Sequence, residues 1–132
     1  MNFNFDAEQP KSDAQVKPKF DPSIRVTLQV LSTGDQLPLK GKSEFTLGRI
    51  SGTQPILPDI DLTPYQAYET GVSRLHALLL LDLDKITITD LGSANGTRIN
   101  GDRVTAHAPY PLQDGDIISL GNFKACIYIR DL

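Results

Sequence analysis

Cysteine is nearly missing from this chain of 132 residues, which contains only Cys126. One thiol cannot form an intrachain disulfide, and the sequence has no cysteine-rich metal-binding spacing. Cys126 lies in the alternating apolar segment FKACIYIR, which indicates a buried thiol that packs as a small hydrophobe. The fold must therefore be held together by its apolar core, for which the chain is long enough.

Long apolar runs are missing as well. No segment approaches the run of about 18 apolar residues that spans a membrane, so we predict no membrane insertion. The first residues, MNFNFDAEQPKSD, have neither the basic start nor the apolar stretch of a secretion signal. These absences predict a cytoplasmic location.

The chain also lacks a surplus of positive charge. The chain has 13 Lys and Arg against 16 Asp and Glu, a formal net charge of −3. Proteins that bind nucleic acid non-specifically rely on a basic field that neutralises phosphates. We therefore expect no nucleic-acid partner.

The composition of the chain changes near residue 23. Residues 1–22 are rich in Pro, Lys, Asp and Gln, and their few apolar side chains cannot offset the entropy of ordering. The next segment, IRVTLQVL, alternates as a strand does. Its apolar face carries Ile24, Val26, Leu28 and Val30. We predict a flexible N-terminal tail over residues 1–22 and one domain over 23–132.

Short apolar runs fill the rest of the chain: LPLKG, EFTLGR, RLHALLLLDL, KITITDL, GTRIN, DIISLG and FKACIYIR. Turn-forming pairs separate several of them, because Asn and Gly accept positive φ at low cost. The pairs are Asp84-Lys85, Asn95-Gly96, Asn100-Gly101 and Asp114-Gly115. No sustained helical period follows the tail, so the pattern predicts an all-β sandwich. LHALLLLDL is apolar on both faces, which predicts a central strand covered on each side. About 20 residues before Ser73 lack a strand pattern, and loops of that length are often functional.

Ser73 and His76 suggest a catalytic pair, but their sequence context disfavours that hypothesis. The segment GVSRLHA does not resemble the strained G-x-S-x-G turn of a serine hydrolase. Residues three apart on one strand also point to opposite faces. A metal site is disfavoured because His107 is distant in sequence, with no ligand spacing around it. Gly48 and Gly52 in LGRISGT lack the lysine and the helix of a nucleotide-binding loop.

The favoured hypothesis is a binding site for a phosphorylated peptide. Arg49 ends a strand, Ser73 begins one, and Asn95 lies in a turn, all where a sandwich gathers loops at one end. An arginine fork and a serine hydroxyl suit phosphate oxygens, and an asparagine amide can both donate to and accept from a peptide backbone. Together they predict a phosphopeptide clamp.

Four segments, FTLGR, VSRLHA, SANGTRING and LQDGDIISLG, occur in an order that resembles the forkhead-associated (FHA) domain. This family is an eleven-stranded β-sandwich that binds phosphothreonine, and the resemblance covers about residues 23–132. It implies that Arg49 grips the phosphate, that Ser73 and Arg74 add contacts, and that Asn95 holds the peptide backbone. It also implies that Gly48 and Gly96 shape the loops and that His76 fixes their architecture.

The resemblance implies a non-enzymatic adaptor, without cofactor or metal, that docks onto proteins phosphorylated on threonine by a Ser/Thr protein kinase. One dephosphorylation would remove most of the attraction, because the phosphate carries roughly −1.5 to −2 charge. The alternative is a phosphate-independent assembly module that uses the sandwich face or an exposed strand. A hydrolase is a third, weaker hypothesis.

Two features depart from the family pattern. Some members place an arginine two residues before the serine, where it reads an acidic peptide residue, but this chain has Gly71. The connection before Ser73 also contains an extra segment, IDLTPYQAYETG, beside the expected site. Selection of residues downstream of the phosphothreonine must then come from elsewhere, and the nearest candidates are this insertion and Arg98. We expect a preference for apolar or basic residues.

Side chains in and beside the insertion leave two questions open. Tyr65 and Tyr68 either form a wall for an apolar peptide residue or pack down onto the sandwich. Asp59, Asp61 and Glu69 would repel a phosphate unless they point away or engage the protein's own backbone.

Overall fold

The computed structural model describes residues 24–130, so the predicted tail over residues 1–22 lies outside the described part. Within residues 24–130, eleven strands form two sheets around one apolar core. The strands are β1 (Val26–Val30), β2 (Gln36–Leu39), β3 (Glu44–Gly48), β4 (Ile60–Asp61), β5 (Leu75–Leu81), β6 (Ile86–Asp90), β7 (Thr97–Ile99), β8 (Asp102–Arg103), β9 (Pro109–Leu112), β10 (Ile117–Leu120) and β11 (Phe123–Ile129). The predicted all-β, eleven-stranded sandwich is confirmed.

Neighbouring strands are antiparallel in both sheets, with one exception. The first sheet has the order β9-β6-β5-β3-β4, and the second has the order β2-β1-β11-β10-β7-β8. β3 and β4 run parallel, with Leu47 opposite Ile60 and Gly48 opposite Asp61. The chain therefore leaves β3, makes the connection over residues 49–59, and returns along the same edge of the first sheet.

Strand alternation builds the core as the sequence predicts. Val26, Leu28 and Val30 of β1 are all buried. β5 is the central strand of its sheet, also as predicted, but the prediction that both of its faces are covered is wrong. Ala77 and Leu79 are fully buried, whereas Leu80 on the other face is 37% exposed. An antiparallel sheet of a sandwich packs one face on the core and leaves the other to solvent.

The predicted turn at Asn100-Gly101 joins β7 to β8. Both residues have positive φ, 51° and 88°, which is the conformation that a tight antiparallel reversal requires. The Asn100 side chain also accepts a hydrogen bond from the backbone N–H of Ile117 and donates one to Asp116. This turn therefore fixes the position of β10 as well as that of its own hairpin.

The long connection before Ser73 contains structure that the sequence pattern did not predict. After β4 come a 3-10 helix at Thr63–Tyr65 and a short helix, α1, at Ala67–Thr70. Neither of these helices, which are the helical segments between residues 24 and 130, has the length and apolarity to cross a membrane. Leu62, Ala67 and Val72 are at most 2% exposed. The second half of the connection is therefore part of the core.

We expect Leu62→Ala to lower the free energy of unfolding by about 2–5 kcal/mol, because Leu62 is fully buried and its loss leaves a cavity. The matched control is Leu57→Ala in the same connection, where the side chain is 54% exposed and the effect should stay within about 0.5 kcal/mol. Denaturant unfolding of both variants measures the difference. Equal effects would show that the connection is an appendage on the sandwich.

Candidate functional site

An open groove lies where three loops of the first and second sheets meet. Its volume is about 530 Å³. Three of the predicted peptide-binding residues, Arg49, Ser73 and Arg74, line it together. The other lining residues are Gln54, Pro55, Ile56, Leu75, Gly92 and Ala94. Asn95, the fourth predicted residue, is next to Ala94 in the chain but does not line the groove.

Gly48 brings Arg49 close to Ser73 and Arg74. β3 and β5 are paired, and their register shifts between Leu47 and Gly48. A Cβ atom on Gly48 would collide with the carbonyl oxygen of Arg74, so no other residue fits here without moving the backbone. The next residue continues the contact, since the backbone N–H of Arg49 donates to Arg74 O over 3.2 Å. This close approach explains the glycine that precedes the arginine.

Two contacts hold the Arg49 side chain in place. Its Nε donates to the carbonyl oxygen of Val72 over 2.7 Å. Its guanidinium carbon lies 5.1 Å from the centroid of the Tyr68 ring, within the range of a cation–π contact. No protein acceptor between residues 24 and 130 engages the two terminal nitrogens. They form a fixed pair of donors at the groove.

Ser73 offers a hydroxyl hydrogen to the groove. Its Oγ accepts a hydrogen bond from the backbone N–H of Ala94 over 3.1 Å, which fixes the oxygen. The hydroxyl hydrogen then remains available to an acceptor, since an oxygen that accepts can also donate. The Arg74 side chain beside it is exposed. Arg49, Ser73 and Arg74 thus each present a hydrogen-bond donor, and two of the three side chains are cationic.

His76 connects the Ser73 loop to the Asn95-Gly96 loop. The ring is fully buried; Nδ1 accepts from the backbone N–H of Ser73 over 3.0 Å, and Nε2 lies 3.0 Å from Gly96 O. A carbonyl oxygen only accepts, so Nε2 carries the hydrogen and the ring is neutral. Nδ1 is occupied by a backbone N–H and is not placed to remove a proton from the Ser73 hydroxyl, as a catalytic pair requires.

Asp90 organises the loop before β7, a role that we did not predict. Its carboxylate accepts hydrogen bonds from the backbone N–H groups of Gly92 and Ser93 and from the hydroxyls of Ser93 and Thr97. Burial alone would raise the pKa of Asp90, but the hydrogen bonds from Ser93 and Thr97 outweigh burial and lower it. The sequence does contain a signal for this role, because an aspartate two residues before a glycine is typical of an Asx turn.

Asn95 contacts the residue that departs from the family pattern. Its Nδ2 donates to the carbonyl oxygen of Gly71 over 2.9 Å, and a Cβ on Gly71 would lie 2.6 Å from the same nitrogen. Gly71 also ends α1 with a φ of 88°, a conformation that L side chains rarely adopt. The chain path of the insertion is therefore incompatible with a larger residue at position 71. Gly96, which also has a positive φ of 84°, follows Asn95.

Two of the three acidic side chains near the site are engaged by the protein itself. Asp59 accepts from the backbone N–H and hydroxyl of Thr46 and from Lys42, whose Nζ lies 2.6 Å away. The Lys42 hydrogen bond, followed by that of Thr46, lowers the pKa of Asp59. Asp61 accepts from the backbone N–H and hydroxyl of Thr63 at the start of the 3-10 helix. Glu69 remains exposed on α1.

The two tyrosines of the insertion have different environments. Tyr65 packs against the core, with its ring 6.5 Å from that of Phe123, and its hydroxyl donates to Asp35. Burial, followed by the Asp35 contact, raises the pKa of Tyr65. Tyr68 is 74% exposed and stacks on Arg49. Arg98 is exposed on β7 and does not line the groove.

The fold and the groove define a class of protein, a β-sandwich domain with a donor-rich groove built from loops between strands. The model of the FHA domain family matches residues 45–121, and the chain belongs to this family. That segment contains Arg49, Ser73, His76 and Asn95.

Three comparisons illustrate the family relationship. An FHA domain-containing protein of Arabidopsis thaliana is 32% identical over 108 residues, which are 80% of this chain and 25% of that protein. An FHA domain solved in a structural and functional analysis of phosphothreonine-dependent FHA domain interactions is 30% identical, with a TM-score of 0.64 over 82% of this chain and 99% of that one. The N-terminal FHA domain of Saccharomyces cerevisiae Rad53p, solved in complex with a phosphothreonine peptide, shares the fold at 22% identity, with a TM-score of 0.66 over 82% of this chain and 95% of that one. The chain spans a quarter or less of the length of the curated relatives it matches.

His76 should make the stability of the domain depend on pH. Burial lowers the pKa of His76 below its ordinary value of 6.5, so the unfolded chain takes up this proton first as the pH falls. The free energy of unfolding should therefore decrease as the pH drops from 7 to 5. Asp59 and Asp90, whose pKa values are lowered from 3.8, lose their contribution only at more acidic pH.

Denaturant unfolding at several pH values measures this effect, with His76→Gln as the matched variant. A glutamine side chain has an NH₂ donor group and a carbonyl acceptor but does not titrate. The variant should be less stable at pH 7, and its dependence between pH 7 and 5 should be flatter than that of the wild type. The same slope in both proteins would assign the titration to another group.

Proposed function

We propose that this domain binds proteins phosphorylated on threonine, through the groove that Arg49, Ser73 and Arg74 line. The observation that carries this proposal is the convergence of three donor side chains, two of them cationic, on one open groove in a chain whose net charge is −3; contacts within the protein hold Arg49 and Ser73 in place. A phosphate dianion supplies three strong acceptor oxygens and matches this set of donors.

Each side chain has a distinct role in the proposed complex. The two terminal nitrogens of Arg49 bind two phosphate oxygens as a fork, because Nε is already held by Val72. The Ser73 hydroxyl donates to a further oxygen, since its own oxygen accepts from Ala94. Arg74 adds a second positive charge. Asn95 keeps its Oδ1 and one Nδ2 hydrogen for the peptide backbone, the other hydrogen being used on Gly71.

The relatives support the choice of ligand. The FHA domain that is 30% identical to this chain, and almost entirely covered by it, comes from a study of phosphothreonine-dependent interactions. By the same reasoning the partner is a protein modified by a Ser/Thr protein kinase, and the domain acts by docking, without chemistry of its own. We propose a signalling adaptor in the cytoplasm.

Arg49→Ala tests the proposed site. Hydrogen bonds to a charged group contribute about 1.5–3 kcal/mol each, so losing even one should weaken binding of a phosphothreonine peptide at least about tenfold. The melting temperature should change little, because the side chain is half-buried at the surface. Fluorescence titration with the phosphorylated peptide and its unphosphorylated twin measures the effect.

Lys85→Ala is the matched control for charge. It also removes one positive charge, but Lys85 precedes β6 at the end of the first sheet away from the groove. Its affinity for the phosphopeptide should equal that of the wild type. Wild-type affinity in Arg49→Ala contradicts the proposed site, whereas equal binding of both peptides by the wild type favours the phosphate-independent assembly module.

Tyr68 should act as a positioning residue for Arg49. The cation–π contact at an exposed site is worth about 0.5–1 kcal/mol, so Tyr68→Ala should weaken phosphopeptide binding by about two- to fivefold. Tyr68→Phe keeps the ring and should bind nearly as the wild type does. In the Arg49→Ala background, Tyr68→Ala should have no further effect on affinity. A full additive effect there would mean that Tyr68 touches the peptide independently of Arg49.

A further inference from the structure

The connection between β3 and β4 exposes two large apolar side chains beside the groove. Ile56 is 63% exposed and Leu57 is 54% exposed. Exposed apolar residues are common on protein surfaces and by themselves indicate nothing. Ile56 differs from Leu57 in one respect. Ile56 lines the groove together with Arg49 and Ser73, and Leu57 does not.

The loop that carries Ile56 is held in place at its base by Gln54. The side-chain nitrogen of Gln54 donates to Ile56 O over 2.9 Å and to Arg49 O over 3.2 Å. Its oxygen accepts from the backbone N–H of Ser51 over 3.1 Å. One amide therefore ties the backbone of Ile56 to the backbone of Arg49, the residue whose side chain supplies the donor pair.

The far end of the loop is anchored as well. Asp59 and Thr46 exchange backbone-to-side-chain hydrogen bonds in both directions, and Pro58 is buried. With both ends attached to the first sheet, Ile56 has little freedom to fold away from the groove. A rigid contact of this kind avoids most of the ordering entropy that a mobile loop loses on binding.

The groove is thus donor-rich along Arg49, Ser73 and Arg74 and apolar at Pro55 and Ile56. The side chains of Pro55 and Ile56 offer no hydrogen bond to a polar ligand group. The apolar side is continuous with the proposed phosphate site, so its occupant is part of the same peptide.

We propose that Ile56, supported by Pro55, selects an aliphatic side chain adjacent to the phosphothreonine in the bound peptide. This inference rests on the proposed function and deepens it. Ile56 lines the same groove as Arg49 and Ser73, and an extended peptide advances only about 3.3 Å per residue. The selected side chain therefore belongs to a residue within about two positions of the phosphothreonine.

The expected strength of this selection follows from the apolar area that it covers. Removing about 60 Å² of apolar surface from water corresponds to about a tenfold change in affinity. Wild-type protein should therefore bind a peptide with Val, Ile or Leu at the selected position about tenfold more tightly than the same peptide with Ala or Asp there. This contact supplies a selectivity that does not depend on the insertion tyrosines.

A positional phosphothreonine peptide library, titrated against four proteins, tests the proposal. In Ile56→Ser the aliphatic preference should disappear, while the affinity for the Ala-containing peptide stays at the wild-type value. Ile56→Val should keep most of the preference. Leu57→Ser, the matched control in the same loop, should keep all of it. Thermal unfolding of each variant checks that the fold is retained, which we expect because both side chains are exposed.

Three results would overturn the inference: a wild type without aliphatic preference within two positions of the phosphothreonine, a preference that survives in Ile56→Ser, or one that Leu57→Ser removes equally. Each of these leaves the proposed function standing if phosphorylated peptides still bind better than their unphosphorylated twins. If the wild type does not distinguish the twins, the proposed function fails and this inference fails with it.

Discussion

His76 is the point on which the geometry of the site depends. Ser73 precedes β5 in the first sheet and Gly96 precedes β7 in the second, and the buried ring accepts from one backbone and donates to the other. Without the ring, the backbone N–H of Ser73 would lose its partner, at a cost of about 1–3 kcal/mol, and Gly96 O would lose one of its two hydrogen bonds. The same Gly96 carbonyl accepts from the backbone N–H of Gly121, so the turn between β10 and β11 joins the network. Loops from both sheets are thereby held at fixed distances.

The insertion is attached to the same network. The backbone N–H of Asn122 donates to Thr70 O, and Asn95 donates to Gly71 O, so the end of α1 contacts both neighbouring loops. Val72, the next residue, supplies the carbonyl that holds Arg49 Nε. The end of the insertion therefore positions the Val72 carbonyl that holds Arg49, while the exposed Tyr68 ring stacks on the Arg49 guanidinium.

The groove presents two arginines despite the acidic composition of the chain. Asp59 is paired with Lys42 and with Thr46, and Asp61 holds the start of the 3-10 helix, so both carboxylates are engaged by groups other than the two arginines of the groove. Asp90 lies deeper, with its negative charge satisfied by four hydrogen bonds that shape the loop carrying Ala94 and Asn95. Screening by salt further limits the influence of the remaining exposed acids.

Strand periodicity and turn residues, read from the sequence alone, determined the all-β class, the inward face of β1 and the hairpin at Asn100-Gly101. These predictions succeed because the face of a strand and the geometry of a tight turn depend on neighbours within a few residues. The motifs around Arg49, Ser73, His76 and Asn95 identified the family by their order. Only the tertiary structure decided that Tyr65 packs inward while Tyr68 stacks on Arg49, that the connection contains α1, and that Gly71 lies against Asn95. A four-residue helix leaves no periodic signal, and those contacts join residues far apart in the chain, so no local pattern records them.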